Sequence, residues 1–368
     1  MMFSLVRLPA LIAAAGLLCT AVPAEEVRVD HDGPYVIWHD SARATVFCLC
    51  QDELVSEAYE VGDTLYLRDL CDLLAVTVPV PSRPPEVEPF EYSGVTRILA
   101  ISDLHGQYEA TVDFLKVAGV VDDSLRWSWG DGHLVVNGDI FDRGDGVTDL
   151  LWLVYRLEQE ALRAGGRVHF TLGNHEKMVV RGDNRYVHEK YLDGTARKSR
   201  ILHQDLFGPD TELGRWVRTR HTAIKLNDIL FVHAGISVQL MERGWDIETI
   251  NRKVRQYLDL PSTQVAFSDE PKFLFGSLGP LWYRGLFESR EGVYDQLTQS
   301  EVRAILACFG AGTMVVGHTL MDQVDSYYGG LVFEVGVPLD GPGTMQGLLW
   351  EDGHFYRVTA SGQQEELR

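Results

Sequence analysis

Three short motifs are dense in groups that bind cations and phosphate: Asp103-Leu104-His105-Gly106, Gly138-Asp139-Ile140-Phe141-Asp142-Arg143-Gly144 and Gly173-Asn174-His175-Glu176. Two further histidines, His233 and His318, each follow a short apolar run. Asp, Asn and His suit divalent ions that take oxygen and imidazole donors, and suit poorly a centre that needs thiolate. Asp103 and His105 stand two residues apart and can reach one ion. Asp139 has two carboxylate oxygens and can bridge two ions, while Asn174, His233 and His318 would complete the second shell. Two such ions about 3.5–4 Å apart acidify a bridging water and hold a phosphoryl group in line for attack.

The neighbouring residues fit the same chemistry. Arg143 could bind two phosphoryl oxygens through one planar guanidinium, and Arg284, within Gly279-Pro280-Leu281-Trp282-Tyr283-Arg284-Gly285, is a second candidate. Asn174 adjoins the same substrate position. His175 could protonate the departing oxygen, with Asp142 fixing its tautomer and raising its pKa. Glu176 reads as a hydrogen-bond acceptor behind the ligands. Cations and arginines together would carry the charge of a transferring phosphoryl group. Each motif alone has a plainer explanation, since Gly-Asp is an ordinary turn and Asn a helix cap. The case rests on their conjunction. The other histidines (His31, His39, His133, His169, His188, His203, His221, His354) are expected to be structural or solvated, forming no second cluster.

The motifs require rigid supports, and the flanking sequence provides them. Arg97–Ser102, His133–Val136 and Arg167–Leu172 read as strands that end at the three motifs; Ile229–Val232 and Met314–Val316 precede His233 and His318. Apolar residues at helical spacing over 107–118 and 148–164 predict helices between the first three strands. Sites in such alternating sheets form beyond the carboxyl ends of the strands. Alternation alone predicts a doubly wound α/β sheet. Residues 177–220 break the pattern with a polar, helical insertion expected to wall the site, and strands return at 331–335, 346–350 and 355–358.

The flanks bound the rest. Arg7, the apolar run Leu8–Leu18 and Ala21-Val22-Pro23-Ala24 predict a cleaved signal peptide over 1–24, hence a periplasmic or secreted protein with no stable membrane insertion. Residues 25–78 read as a small β-rich module, 79–94 as a proline-rich linker and 95–368 as the catalytic domain. In an exported chain either Cys48 or Cys50 could bridge to Cys71, or all could be buried thiols, as Cys308 is expected to be. The net charge of −20 argues against nucleic acid as a partner.

With these residues in view, the chain resembles the metal-dependent phosphoprotein phosphatases, the calcineurin-like metallophosphoesterases, whose signature runs GDxHG, GDxxDRG, GNHE, HGG and a GH element. Here these stand as Ser102–Gly106, Gly138–Gly144, Gly173–Glu176, His233-Ala234-Gly235 and Gly317-His318. Within that family it is similar to the Shewanella-like protein phosphatases, through Gly173–Met178, Phe231–Ser237 and Gly279–Gly285. The resemblance implies an α/β calcineurin-like metallophosphoesterase fold, a central β-sandwich flanked by helices, in place of a doubly wound sheet. It implies two divalent metal ions, manganese first and iron or zinc otherwise. Asp103, His105 and Asp139 would hold one, and Asp139, Asn174, His233 and His318 the other. His175 with Asp142 would be the acid pair, and Arg143 with Arg284 the phosphate clamp. Ser102 and Ala234 replace family glycines, and no SAPNYC-like segment is present. The expected function is hydrolysis of phosphomonoesters on a phosphoprotein or phosphopeptide, leaning to phosphotyrosine, by direct attack of a metal-bridging hydroxide. The alternatives are a dinucleoside tetraphosphate hydrolase and an inactive binding module of the same fold.

Overall fold

The computed structural model describes residues 27–67, 71, 78–339 and 343–367. The signal peptide expected over 1–24 lies outside the described residues. An antiparallel sheet opens the described chain: β1 (His31–Trp38), β2 (Arg43–Cys50) and β3 (Glu53–Glu60), followed by a ribbon of β4 (Thr64–Leu67) and β5 (Val78–Pro81). The remaining strands are β6 (Glu91–Tyr92), β7 (Arg97–Ile101), β8 (His133–Val136), β9 (Arg167–Phe170), β10 (Ala223–Leu226), β11 (Ile229–Val232), β12 (Thr313–Val316), β13 (Asp325–Tyr327), β14 (Val332–Glu334), β15 (Gln346–Glu351), β16 (His354–Thr359) and β17 (Gln364–Leu367). They form two six-stranded sheets, ordered β17-β16-β15-β7-β8-β9 and β13-β14-β12-β11-β10-β6.

Successive side chains in a strand point to opposite faces, so a strand apolar throughout must be covered on both. That is the case here. Ile98, Ala100, Val135 and Leu348 of one sheet meet Ile224, Leu226, Phe231, Val315 and Phe333 of the other in a shared core. The alternate residues, Leu99, Ile101, Leu134 and Val136, face outward onto helices α1 (Tyr108–Val117) and α2 (Val147–Ala164) through Phe114, Leu115, Leu150, Leu151 and Leu157. Leu230, Val232, Met314 and Val316 of the second sheet belong to the same helix-lined core as Ile247, Ile250 and Val254. The architecture is therefore a β-sandwich between helices. β7, β8 and β9 run parallel, with α1 and α2 as their crossovers, as alternation demands. The doubly wound alternative fails because the second face is taken by another sheet.

Strands β1 and β2 pack on the catalytic elements. Tyr35 stacks on Phe47 and meets Phe207 edge-on, Trp38 Nε1 donates to Glu212 Oε2 (2.7 Å), and Trp152 Nε1 in α2 donates to the Pro34 carbonyl (2.8 Å). The proline stretch lies in β5 and the chain after it, anchored by Gln159 Nε2 on Pro79 O (3.0 Å) and Arg215 Nη2 on Pro81 O (2.8 Å). β6 then adds to the sandwich beside β10. Cys50 is disulfide-bonded to Cys71, with Cα atoms 5.6 Å apart, and Cys48 Sγ stands 2.7 Å from Cys71 Sγ. Cys308 corrects the expectation of a buried thiol: its helix, Gln299–Cys308, buries Val302, Ile305 and Leu306 and leaves Cys308 exposed. No helix among the described residues is long and apolar enough to cross a membrane.

Candidate active site

Five strands from both sheets end at one rim. Beyond β7 come Asp103 and His105; beyond β8, Asp139, Asp142 and Arg143; beyond β9, Asn174 and His175, which open helix α3 (Asn174–Val180); beyond β11, His233; and beyond β12, His318. The backbone turns sharply to aim them. Asp103 (φ 55°), His105 (43°), Asp139 (58°), Asp142 (72°), Arg143 (68°) and His318 (68°) all occupy the left-handed region. Each such residue costs roughly 1–3 kcal/mol and persists only where surrounding contacts enforce it. Two glycines make room for this crowding. A Cβ on Gly173 would stand 2.1 Å from Asp139 Oδ1, and one on Gly138 would stand 2.6 Å from His233 Nδ1. Ser102, where the family motif has glycine, fits because Gly317 faces its hydroxyl, which donates to Asn137 O (2.9 Å).

The six candidate ligands converge on Asp139. Its Oδ2 lies 3.1 Å from His233 Nε2 and 3.9 Å from His105 Nε2. His105 Nε2 is also 3.9 Å from Asp103 Oδ1, and His233 Nε2 is 3.2 Å from Asn174 Oδ1. Two groups, His105–Asp139–His175 and Asp139–His233–His318, each place their ligand atoms within 4.8 Å of one another, and Asp139 belongs to both. The imidazoles are set for metal. His105 Nδ1 contacts Phe141 O at 2.9 Å and His233 Nδ1 contacts Asn137 O at 2.8 Å. A backbone carbonyl there takes the Nδ1 proton and leaves the Nε2 lone pair facing the centre. His105 Nε2 and His318 Nε2 are buried with no hydrogen-bond partner among the described residues. Orphaned buried nitrogens around a shared carboxylate fit a pair of divalent cations.

The electrostatics agree. Burial alone would raise Asp139, but His233, His175 and His105 hold it well below the usual carboxylate range. Burial would depress His233, yet Asp139 pushes it up to about 9. Burial depresses His318 well below its ordinary value, with His233 and Arg284 adding to the effect. It lowers His105 too, against Asp139 and Asp103 and with a contribution from Arg143. Arg143 thus lies near His105, and Arg284 near His318. Arg143 is exposed, and its guanidinium makes no hydrogen bond or ion pair among the described residues. Among the described residues the Arg284 guanidinium has one ion pair, a loose one at 4.0 Å with Glu288.

His175 differs from the other imidazoles. Its Nδ1 lies 2.6 Å from Asp142 Oδ2, inside the protein. Burial works against charging it, but Asp139 and Asp142 outweigh burial and raise its pKa. Its partner at Nδ1 is a carboxylate, where His105 and His233 have backbone carbonyls, and that arrangement suits a proton donor. The insertion beyond α3 forms the adjoining wall: the Tyr186 ring lies 5.4 Å from that of His175, and Tyr186 O accepts the Arg143 N–H (2.8 Å).

Several supporting residues were not identified from sequence. Asn137, fully buried, ties the sheets together: its Nδ2 donates to Val232 O (3.3 Å) and Val315 O (3.4 Å), and its Oδ1 accepts from Thr171 (3.0 Å). Tyr191 Oη accepts from Val147 N (2.8 Å) and donates to Asp145 O (2.6 Å), capping α2 and pinning the loop that carries Arg143. Glu334, a lone acid in an apolar strand, is fully buried beside Asp103, and burial and Asp103 push its pKa well up. Glu176 does act as an acceptor, taking the backbone N–H groups of Asp139, Ile140 and Gly173 at 2.7–2.9 Å. At the opposite end of the strands, His133 and His169 do pair, Nδ1 to Nε2 at 2.9 Å, with Tyr92 against both rings; His221 Nε2 meets Glu88 O.

Comparison with known proteins agrees with this geometry. The calcineurin-like phosphoesterase family model matches residues 96–322. Shewanella-like protein phosphatase 2 of Arabidopsis thaliana is 28% identical over 284 residues, covering 66% of this chain and 71% of that one. Shewanella-like protein phosphatase 1 of Plasmodium berghei is 26% identical, covering 63% of this chain and 64% of the other. The crystal structure of a cold-active protein-tyrosine phosphatase from a psychrophilic Shewanella superposes with a TM-score of 0.85 at 35% identity, covering 92% of this chain and all of that one. A shared sandwich and a cluster of Asp, Asn and His at its rim go together with these matches: the chain belongs to the calcineurin-like phosphoesterase family.

Proposed function

We propose that this chain is an exported phosphatase that hydrolyses phosphotyrosine in proteins with the help of two divalent cations. The observation that carries the reading is the convergence on Asp139 of ligand atoms from both sheets, beside a separate His175–Asp142 pair. Asp103, His105 and Asp139 would hold one cation, and Asp139, Asn174, His233 and His318 the other. Bound there, the cations supply Lewis-acid polarisation and make an attacking water more acidic. Manganese suits the oxygen-rich first set, and iron or zinc suits the imidazoles of the second.

The chain's own groups do the rest. Arg143 and Arg284 neutralise and orient the phosphoryl oxygens, with Asn174 beside them. His175 delivers its proton to the phenolic oxygen of the leaving tyrosine, and Asp142 keeps the donor charged and aimed. No cysteine lies at this rim, and transfer goes directly to water. The similarity to a protein-tyrosine phosphatase over 92% of the chain supports the choice of substrate. The apolar leader and the Cys50–Cys71 disulfide support an oxidising, extracytoplasmic location. The test is a panel of phosphotyrosine, phosphoserine and phosphothreonine peptides and a dinucleoside tetraphosphate, assayed on protein reconstituted with manganese, iron or zinc. Preference for the dinucleotide, or no turnover of any peptide, refutes the reading.

A further inference from the structure

Next to the metal centre lies a cavity of about 450 Å³ bounded by Phe275, Trp282, Arg284, Glu288, Arg290 and Tyr294. Its inner wall is the outer wall of the site: Trp282, which lines the cavity beside Arg284, meets the His318 ring edge-on at 5.7 Å. A peptide whose phosphotyrosine is clamped by Arg284 must run through or past this space.

The cavity's charge is opposite to that of the protein as a whole. The chain carries a net −20, yet the wall offers two arginines against one glutamate, which pairs only loosely with Arg284 at 4.0 Å. Two more cations back the same aromatic wall: Lys177 Nζ lies 5.8 Å from the Phe275 ring and 6.0 Å from that of Trp282, and the Arg181 guanidinium lies 4.3 Å over Phe275. Arg290 is pre-set for a ligand. Its Nη1 donates to Ser277 Oγ (2.8 Å), and paired backbone hydrogen bonds with Tyr294 close its loop, leaving its other N–H groups without an acceptor among the described residues. Unspent Arg290 donors and positive charge on a concave aromatic surface match a carboxylate.

We propose that this cavity is a specificity subsite that receives an acidic side chain, Asp or Glu, within three residues of the phosphotyrosine, with Arg290 as the residue that reads it. The inference rests on the phosphotyrosine reading above. The experiment compares phosphotyrosine peptides that are identical except for a single Glu, Ala or Lys placed in turn at each of the three positions on either side. With the metal-reconstituted full chain, Glu at one position raises kcat/KM roughly five-fold over Ala, as for a partly exposed ion pair worth about 1 kcal/mol. Arg290→Ala abolishes that preference, and Arg290→Glu reverses it in favour of Lys. Turnover of p-nitrophenyl phosphate, which has no flanking residues, stays unchanged in both variants and reports that they are folded. Equal kcat/KM across the series, or an acid preference that survives in Arg290→Glu, overturns the subsite and leaves the phosphotyrosine reading standing. Turnover of p-nitrophenyl phosphate with no phosphotyrosine peptide cleaved overturns both.

Discussion

His175 offers the most discriminating perturbation, because the geometry permits two roles. Its Nε2 lies 3.9 Å from Asp139 Oδ2, the same separation as for His105, so distance alone would allow it to ligate a cation. The partner at Nδ1 separates the two. His105 has a neutral carbonyl at Nδ1, whereas His175 has a buried carboxylate at 2.6 Å, which favours the imidazolium. In His175→Asn the side-chain amide keeps a donor toward Asp142 but has no proton to give to a leaving group. General acids contribute about 10²–10⁴ in rate. For tyrosine, whose phenol has a pKa near 10, the expected loss in kcat is roughly 10²–10³-fold, or about 3–4 kcal/mol of barrier. With p-nitrophenyl phosphate, whose leaving group is far more acidic, the loss is much smaller. Measured together, kcat on both substrates and metal per chain by elemental analysis decide the matter. Loss of one metal equivalent, or equal losses on the two substrates, shows that His175 is a ligand and that the acid must be sought elsewhere.

Other consequences are more local. Tyr191→Phe removes the hydroxyl that caps α2 and holds Asp145 O, so it should cost about 1–2 kcal/mol in a thermal melt and raise KM more than it lowers kcat, because the Arg143 loop loosens; an unchanged KM contradicts the positioning role. Adding manganese to chelator-stripped protein should raise the melting temperature with concentration, since only the folded chain assembles the ligands, and replacing Asp139 with Asn should abolish most of that rise. Burial depresses His203 to about 4 from its ordinary 6.5, so the unfolded chain binds its proton more tightly than the folded one. Its contribution is intact above pH 6.5 and is lost as pH falls toward 4, by up to about 3 kcal/mol, and denaturant melts of His203→Phe should show a shallower decline across that window. Burial and Asp103 raise the pKa of the Glu334 carboxyl, so Glu334→Gln should leave manganese affinity little changed; a weakened affinity would mean that it acts as an anion.

The candidate ligands could be picked out because chemistry fixes residue type and strand ends fix position. The groups that hold them were not, because their meaning depends on what arrives from far along the chain. Asn137 reads as a turn residue until β11 and β12 bring Val232 O and Val315 O to its amide. Tyr191 reads as one aromatic in a polar insertion until it meets Asp145. β3 escaped notice because nearly all of it is exposed and shows no alternation, and Cys308 looked buried because composition does not say which side of a helix faces in. Motif resemblance implied the sandwich; periodicity could not, since a strand covered by a sheet and one covered by helices have the same apolar composition.

The least legible feature is the left-handed backbone at six of the site residues. Nothing in Asp103, His105, Asp139, Asp142, Arg143 or His318 announces positive φ, and only the neighbouring glycines hint at tight turns. At roughly 1–3 kcal/mol each, these conformations lie far from what the local sequence prefers. They survive because contacts from other elements close around them: Asp103 Oδ2 takes His318 N (3.0 Å), Asp139 Oδ1 takes His175 N (3.0 Å), and Glu176 gathers the loop between them. These contacts fix the turns that carry the candidate ligands, at the expense of global stability. A molecule arranged this way gives up folding free energy to hold His105 Nε2 and His318 Nε2, buried and unpartnered among the described residues, around one shared carboxylate, and that trade fits a site built to bind cations.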